Sequence, residues 1–235
     1  MLERTKPARL LSKNDYARRF DRVRRGLAEL QARLRDSDRS VLIALEGPDE
    51  SGKSTIAHRL QETFDPRGFR VWHTYAPEPP ELRHPWLWRF WMRLPRRSAI
   101  AGFDRSWYGR VLVENVEELV SKDELKRSYG EIAAFEQMLI DDGAIVVKLV
   151  MNLSKREQRR RLKACESDPN QRWRIQEADW RANEKFGDYR KAFETMVRRT
   201  STSRAPWTVI PADDYRTAVI LALDAIEAAM KRGLR

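Results

Sequence analysis

Residues 41–60 read V-L-I-A-L-E-G-P-D-E-S-G-K-S-T-I-A-H-R-L. The apolar run at the start of this stretch predicts a buried strand, and the residues after Lys53 have the periodicity of a helix. Between the two, Gly47 and the triplet Gly52, Lys53 and Ser54 have the spacing of a phosphate-binding P-loop. A chance glycine turn is the alternative, but the flanks match the pattern as well as the eight-residue core does. The stretch therefore predicts a P-loop between a strand and a helix.

The chemistry of phosphate binding explains this spacing. The two glycines let the backbone curl so that its N–H groups point inward, and the new helix directs the positive end of its dipole at the same point. Lys53 adds a mobile positive charge, and the Ser54 hydroxyl is a ligand suited to Mg²⁺. The predicted phosphate-binding residues are Gly47, Gly52, Lys53, Ser54 and Thr55.

The composition indicates a basic protein with room for one α/β domain. Its 235 residues include 46 Lys and Arg against 35 Asp and Glu, which gives a formal net charge of +11. This charge attracts polyanions, and nucleic acid, a phosphate chain and an anionic membrane all qualify. No apolar run is long enough to span a bilayer, and the amino terminus lacks a secretory signal. The chain has one cysteine, Cys165, and therefore no disulfide framework, so we expect a cytoplasmic protein. Its three histidines are scattered and lack the spacing of zinc ligands.

Strand and helix patterns alternate along the whole chain. Beyond the P-loop stretch, apolar runs predict strands at residues 69–75, 99–103, 144–151 and 207–210. Helical patterns occur at residues 12–35, 81–94, 107–120, 124–140, 175–199 and 215–231. This alternation predicts an α/β fold, in which a parallel sheet is flanked by helices on both faces.

Asp104 is the second residue on which the functional prediction depends. It ends the apolar run at residues 99–103 and is followed by Arg105. Ligands of a parallel sheet bind at the carboxyl ends of its strands, where both the P-loop and Asp104 fall. A carboxylate beside a P-loop is where nucleotide-handling proteins hold Mg²⁺. An Asp in this position is more often a helix cap, and the upstream P-loop is what favours metal binding.

A cluster of aromatic residues lies in the predicted helix at residues 81–94. Its members are Trp86, Trp88, Phe90 and Trp91. They either pack in the core or form a stacking wall for a nucleobase. Core packing is the more frequent outcome at these spacings.

Basic residues are concentrated on and after the predicted strand at residues 144–151. Lys148 lies inside this strand, where a lysine is costly unless its ammonium group meets an anion or a carboxylate. Ser154 then caps a helix that carries Lys155, Arg156, Arg159, Arg160, Arg161 and Lys163. This charge run is either a solvated face or the lid of a phosphate-handling domain, and the residues alone leave both open.

Several blocks of the sequence together resemble the polyphosphate kinase 2 family. They read G-P-D-E-S-G-K-S-T (residues 47–55), A-G-F-D-R-S-W-Y-G-R-V-L-V-E (101–114), K-L-V-M-N-L-S-K-R-E-Q-R-R-R-L (148–162) and T-S-T-S-R-A-P-W-T-V-I-P-A-D-D (200–214), with the segment from Tyr129 to Phe135 as a further match. They occur in the family's order and cover nearly everything from Val41 onward. A generic P-loop protein would share only the first block.

The resemblance implies a P-loop kinase-like fold, similar to that of thymidylate kinase, and a Mg²⁺-dependent active site. It also implies transfer of a phosphoryl group between inorganic polyphosphate and a nucleotide. Carried over by position, it assigns Asp49, Lys53 and Asp104 to the catalytic centre and Arg105 to phosphate binding. Asp49 and Asp104 would then place the Mg²⁺. The basic residues from Lys155 to Lys163, together with Lys148, would bind polyphosphate as a helical lid.

The resemblance also divides the chain. We expect an amino-terminal helical extension at residues 1–40 and a P-loop kinase domain at residues 41–235, with the basic lid around residues 154–186. The chain departs from the family's pattern at Ser54, where many members have Gly or Asp. It departs again at Asn183 and Phe186, where the family usually has an arginine and a tryptophan. The lost arginine removes a charge-assisted donor near the lid.

The expected substrates follow from the resemblance. The block at residues 101–114 is closer to members that phosphorylate nucleoside monophosphates, so we expect AMP or ADP as the nucleotide, with GMP and GDP as further candidates. We expect a homo-oligomer, a dimer or a tetramer, and neither a membrane nor nucleic acid as a partner. One alternative is an ATP-dependent nucleoside or nucleotide kinase of the same fold. Another is a catalytically idle protein that binds polyphosphate or nucleic acid, suggested by the net charge and by Asn183.

Overall fold

The computed structural model describes residues 10–235, and the first nine residues of the predicted amino-terminal extension lie outside this part. Within residues 10–235, one five-stranded sheet is formed, and all of its strand pairs are parallel. The strands are β1 (Ser40–Glu46), β2 (Phe69–His73), β3 (Ile100–Asp104), β4 (Ala144–Asn152) and β5 (Trp207–Pro211). Their order across the sheet is β2, β3, β1, β4, β5. The predicted α/β class with a parallel sheet is confirmed.

Helices cover both faces of this sheet. They are α1 (Lys13–Arg35), α2 (Lys53–Gln61), α3 (Trp88–Trp91), α4 (Val113–Val116), α5 (Lys122–Asp141), α6 (Lys155–Ser167), α7 (Glu177–Glu184), α8 (Phe186–Thr200) and α9 (Tyr215–Gly233). One hydrophobic core holds Leu30 of α1 and Ile226 of α9. A second core, on the other side of the sheet, holds Phe135 of α5 and Phe193 of α8. Within residues 10–235, each helix is too short or too polar to cross a membrane.

The amino-terminal helix α1 packs along α9. It has an apolar stripe that is buried at Val23, Leu27, Leu30 and Leu34. On the flank of the stripe, Arg19 and Arg22 both bind the carboxylate of Asp224 in α9, at 2.9 and 2.6 Å. Helix α1 therefore packs through one apolar side, and most of its charged residues stay exposed.

The sheet order brings three strand ends together. β1 lies between β3 and β4, and Leu45 of β1 pairs with Asp104 of β3. On the other side of β3, His73 of β2 pairs with the same Asp104. Because the strands are parallel, their carboxyl ends meet at one edge of the sheet. The loop that follows β1 therefore begins beside Asp104.

Two predicted helices are wrong in extent. Residues 81–94 form a short 3₁₀ turn at Glu81–Arg83 and the four-residue α3 instead of one helix. Pro85 lies between the two pieces, where it lacks an N–H group and restricts the residue before it. Residues 107–120 form a 3₁₀ turn at Trp107–Val111 and then α4. The break lies at Leu112, whose φ of −108° and ψ of −96° are not helical.

Candidate active site

The loop between β1 and α2 has a backbone that requires glycine at two positions. Gly47 has a φ of +147° and Gly52 a φ of +95°, a region that residues with a side chain rarely adopt. A Cβ atom on Gly47 would also lie 2.8 Å from the Cβ of Met151, because the loop passes close to β4. The first turn of α2 then consists of Lys53, Ser54 and Thr55. The amides of a first turn have no acceptor within their helix and are the donors that bind phosphate at helix starts.

Lys53 lies buried against this loop, with 6% of its surface exposed. Its Nζ donates to the carbonyl oxygens of Gly47 and Pro48, at 2.7 and 2.8 Å. Burial lowers the pKa of Lys53, although the nearby Asp49 carboxylate acts in the opposite direction. The loop thus holds an ammonium group at its centre, as the P-loop motif predicts.

Asp104 is bound through one of its oxygens from two sides. Its Oδ2 accepts a hydrogen bond from the Ser54 hydroxyl at 2.7 Å and lies 3.2 Å from Nδ1 of His73. Within residues 10–235, Oδ1 of Asp104 has no hydrogen-bond partner. His73 could not be recognised from the sequence, because only the order of the strands places the end of β2 beside the end of β3.

Asp49 and Arg105 form an ion pair across the mouth of the loop. Burial by itself would raise the pKa of Asp49, but Lys53 and Arg105 together hold this pKa below its ordinary value. Arg105 has a left-handed backbone, with a φ of 61°. The pKa of its guanidinium is raised, because Asp49 outweighs the effect of burial. Both residues therefore stay charged.

Glu46 is a buried carboxyl group that the sequence did not reveal. It ends β1 and accepts two hydrogen bonds from Ser106, from the amide and from the hydroxyl, each of 2.7 Å. Burial raises its pKa, although the bonds from Ser106 act in the opposite direction. Glu46 thereby ties the residues after β3 to the end of β1, which fixes Arg105 between the two strands.

One cavity of about 630 Å³ is lined by Asp49, Lys53, His73, Asp104 and Arg105, and Glu46 is not part of its lining. The P-loop and the ends of β2 and β3 form one wall, where Lys53 and Asp104 lie. Helices α6 and α7, with the segment between them, form the opposite wall, to which Arg160, Arg174 and Asp179 contribute. Burial and the neighbouring Asp49 raise the pKa of Asp179. The cavity therefore offers both cationic donors and carboxylates to a ligand.

The basic residues of α6 do not share one role. Lys155, Arg156, Arg159 and Lys163 are exposed and do not line this cavity. Arg160 lines it and binds the carboxylate of Glu157 twice, at 2.7 Å each. One helix thus carries both a solvated face and part of the cavity wall, and the lid stays a prediction.

Arg161 is buried and joins three parts of the structure. Its guanidinium donates to the Glu157 carboxylate at 2.8 Å, to the Glu50 carbonyl at 2.9 Å and to the Ala212 carbonyl at 2.7 Å. It also lies 3.7 Å from the ring centre of Tyr215. Three of its N–H groups are therefore directed at protein acceptors, and Arg161 links α6 to the P-loop and to the segment after β5.

The backbone conformation of Glu50 depends on the link that Arg161 makes between α6 and the P-loop. Its φ of 58° is left-handed, which costs a residue with a side chain about 1 kcal/mol or more. Arg161 holds its carbonyl, and Arg174 pairs with its carboxylate at 3.1 Å. Helix α6 and the segment after it thus stabilise the backbone conformation of the P-loop.

The prediction that Lys148 binds polyphosphate is wrong. Its side chain is 0% exposed, and its Nζ binds Glu136 Oε2 at 2.7 Å, the Thr200 carbonyl at 2.7 Å and the Tyr108 hydroxyl at 3.2 Å. Lys148 lies in the core between β4, α5 and α8, and it does not line the cavity. Of the two partners that the sequence allowed, an anion or a carboxylate, the structure provides the carboxylate of Glu136.

The aromatic cluster does not line the cavity either. Phe90 is in the core, and Trp91 packs edge-on against Phe135 with ring centres 5.2 Å apart. Trp86 donates to Glu131 at 2.8 Å, and Trp88 stacks on the ring of His84. Core packing thus applies fully to Phe90 alone, since Trp86 and Trp88 are half-buried and Trp91 is exposed.

The oxygen donors at the cavity fit a Mg²⁺ ion. Mg²⁺ takes one or two carboxylates and completes its coordination with water and substrate phosphates. Asp49, Asp104 and the Ser54 hydroxyl all line this cavity and supply that number of donors. Residues 10–235 contain no cluster of three or more His, Cys, Asp or Glu side chains that would form a closed protein cage for a metal. A Mg²⁺ ion held here would therefore depend on substrate phosphates.

Comparisons with known proteins agree with this geometry. A family model described as Polyphosphate kinase 2 (PPK2) matches residues 10–233. A polyphosphate:AMP phosphotransferase from Pseudomonas syringae pv. tomato is 40% identical over 225 residues, which are 94% of this chain and 45% of that protein. An ADP-polyphosphate phosphotransferase 3 from Rhizobium meliloti is 31% identical over 214 residues, which are 91% of this chain and 75% of that protein.

A solved structure gives the same result for the fold. The crystal structure of polyphosphate kinase 2 from Arthrobacter aurescens TC1 matches with a TM-score of 0.92 at 31% identity, over 97% of this chain and 83% of that one. The predicted P-loop kinase-like fold is thereby confirmed. The chain spans about half the length of the Pseudomonas relative.

Proposed function

The chain belongs to the polyphosphate kinase 2 family, and from this premise we propose that it transfers phosphoryl groups between inorganic polyphosphate and AMP or ADP. The hydrogen bond from Ser54 to Asp104 carries the proposal, because it joins the P-loop helix to the carboxylate that ends β3. Phosphate binding and carboxylate chemistry thus meet in one cavity, beside the ion pair of Asp49 with Arg105. A cavity with these groups suits a chain of phosphates better than a neutral ligand.

In the direction of nucleotide synthesis, an oxygen of the acceptor's terminal phosphate forms a bond to the last phosphorus of polyphosphate. The phosphoanhydride bond behind that phosphorus breaks, and polyphosphate shortened by one unit leaves. The loop amides and Lys53 bind the phosphates at the point of transfer, and Arg105 stabilises the charge on the migrating group. Asp49 holds Arg105 in place through its ion pair. Asp49, Asp104 and Ser54 would hold Mg²⁺, which neutralises phosphate charge when it is bound.

The relatives guide the choice of acceptor. The Pseudomonas relative is named for AMP and the Rhizobium relative for ADP, and the first is the more similar in sequence. We therefore place AMP first and ADP second, in agreement with the block at residues 101–114. The basic character of the chain, with its net charge of +11, supports polyphosphate as the other substrate. The expected dimer or tetramer can be measured by light scattering on the purified protein.

The proposal is tested by incubating the protein with Mg²⁺, long-chain polyphosphate and one of AMP, ADP, GMP or GDP, followed by chromatography of the nucleotides. We expect ADP to form from AMP, and no product without polyphosphate. A parallel reaction with ATP as donor and a nucleoside or GMP as acceptor tests the ATP-dependent alternative. Transfer from ATP without transfer from polyphosphate would overturn the proposal. Binding of polyphosphate without any turnover would also overturn it, in favour of the catalytically idle binding protein.

A further inference from the structure

We infer that Asn183 is a positioning residue for the P-loop, acting through Gln158 on the main chain of Asp49. The inference rests on the phosphotransfer proposed above. Asn183 is one of the positions at which the chain departs from its family's pattern, and its side chain does not line the cavity. In the structure, Asn183 is bound to other residues of the chain, and these contacts suggest its role.

The contacts form a continuous link between three elements. Asn183 in α7 is 1% exposed, and its Nδ2 donates to Oε1 of Gln158 at 2.9 Å. Gln158 in α6 is also 1% exposed, and its Nε2 donates to the carbonyl oxygen of Asp49 at 3.2 Å. A weaker bond of 3.4 Å joins Nδ2 of Asn183 to the carbonyl of Lys155. The link therefore runs from α7 through α6 to the P-loop.

The main-chain carbonyl of Asp49, at the end of this link, determines which group donates in each hydrogen bond. A main-chain carbonyl can only accept, so Gln158 must turn its NH₂ group toward Asp49. The Oε1 of Gln158 then faces Asn183 and needs a donor there. Asn183 supplies that donor with its own NH₂ group. An alanine would leave Oε1 unpaired, and an aspartate would present an acceptor to an acceptor.

Holding the carbonyl of Asp49 also orients the next amide. In a planar trans peptide, C=O and N–H point to opposite sides, so Gln158 fixes the N–H of Glu50 on the side away from α6. That N–H makes no hydrogen bond to any of residues 10–235. The following carbonyl, of Glu50, is held by Arg161 at 2.9 Å. Side chains of α6 thus hold the carbonyl oxygens of two successive loop residues, Asp49 and Glu50. The N–H of Glu50 stays available to an anion.

The first experiment compares Asn183→Ala, Gln158→Ala and the double variant in the AMP and polyphosphate assay. We expect each single change to lower kcat by about ten- to hundredfold, because small displacements at a reacting centre have effects of this size. The double variant should be no slower than Gln158→Ala, because Asn183 acts only through Gln158. Asn183→Asp, which keeps the size and loses the donor, should be as slow as Asn183→Ala. Gln137→Ala, an exposed glutamine on α5, is the matched control and should keep the kcat of the unchanged protein.

Two kinetic outcomes would overturn the inference. One is a kcat of Asn183→Ala within twofold of the unchanged protein. The other is a double variant whose loss equals the product of the two single losses, since independent structural damage multiplies in this way.

The second experiment does not depend on turnover. Hydrogen exchange of the peptide that contains residues 47–54 should be faster in Asn183→Ala and in Gln158→Ala, and equally fast in both. Unchanged exchange in this loop would refute the inference whatever the kinetics show. If the unchanged protein transfers no phosphoryl group at all, the proposed function fails, and the exchange of the loop still decides the role of Asn183.

Discussion

The hydroxyl of Ser54 donates to Oδ2 of Asp104 at 2.7 Å, which joins the first turn of α2 to the end of β3. The two residues are far apart in the sequence, and they meet because β1 and β3 are neighbours in a parallel sheet. His73 approaches the same oxygen from β2, at 3.2 Å. The P-loop and the carboxylate edge of the sheet therefore form one site.

Replacing Lys53 by alanine should remove most turnover and leave the protein folded. The ammonium of Lys53 is the buried cation at the centre of the P-loop, and loss of one such charge-stabilising group lowers kcat by about a hundred- to a thousandfold. The measurement is the rate of ADP formation, with circular dichroism as the test of folding. Lys13→Ala, a change of an exposed lysine on α1, is the matched control. A Lys53→Ala variant with full activity would exclude Lys53 from the catalytic centre.

Asp104→Asn should change the metal dependence of the reaction as well as its rate. The amide is neutral and a poorer ligand for a hard cation, so more Mg²⁺ is needed for half-maximal rate and the maximal rate falls about a hundredfold or more. Activity of the unchanged protein should disappear with a chelator and return with Mg²⁺. Asp21→Asn, an exposed change on α1, serves as control. An unaltered Mg²⁺ titration for Asp104→Asn would contradict the metal assignment.

The structure divides the predicted lid cations into two groups, and this division can be tested. Arg160 lines the cavity, whereas Arg156, one turn earlier in α6, is exposed and does not line it. Arg160→Ala should raise the KM for polyphosphate several-fold and reduce the dependence of binding on salt by about one ion. Arg156→Ala should stay within twofold of the unchanged protein. Equal effects of the two changes would favour a lid in which the whole basic helix binds polyphosphate.

The buried pair of Lys148 and Glu136 should matter for stability and not for polyphosphate binding. Lys148→Met leaves the Glu136 carboxylate buried and without its cation, which typically costs about 3–5 kcal/mol of unfolding free energy. Combining this change with Glu136→Leu should restore part of the loss, as measured by urea unfolding. The KM for polyphosphate of the folded variants should not change. A raised KM for polyphosphate in a fully stable Lys148→Met variant would show that Lys148 contributes to polyphosphate binding.

The charge of Glu157 gives a prediction about pH. Hydrogen bonds from Arg160 and Arg161 lower the pKa of Glu157 from 4.5 to about 2, and they outweigh burial, which acts in the opposite direction. Because the folded state disfavours protonation, the carboxylate stabilises the fold above pH 4.5, and this contribution is lost as the pH falls toward about 2.

The measurement is the unfolding free energy of the unchanged protein and of Glu157→Gln as a function of pH. At neutral pH the variant should be less stable by about 1 kcal/mol. The difference between the two proteins should shrink below pH 4.5. A difference that stays constant down to the acid limit would show that Glu157 does not titrate with this shift.

The fold could be predicted from the sequence because its signals are local. The apolar run at residues 41–45, the glycines of the P-loop and the alternation of strands with helices each depend on neighbours within one element. The same holds for Asp104, which is recognised as the end of a strand. The helices at residues 81–94 and 107–120 are shorter than predicted. Pro85 is a local signal that interrupts the first one, whereas the helical pattern does not mark the break at Leu112.

Local sequence patterns predict the α/β class, the P-loop and the set of residues that can bind phosphate. Which of these residues meet depends on how the elements pack. Packing brings His73 to Asp104 and Glu46 to Ser106, buries Lys148 beside Glu136, and joins Asn183 to the P-loop through Gln158. The physical reason is that periodicity states which side chains share a face, whereas a hydrogen bond or an ion pair depends on which other element packs against that face. That choice is made by the order of the strands and by the burial of the whole chain.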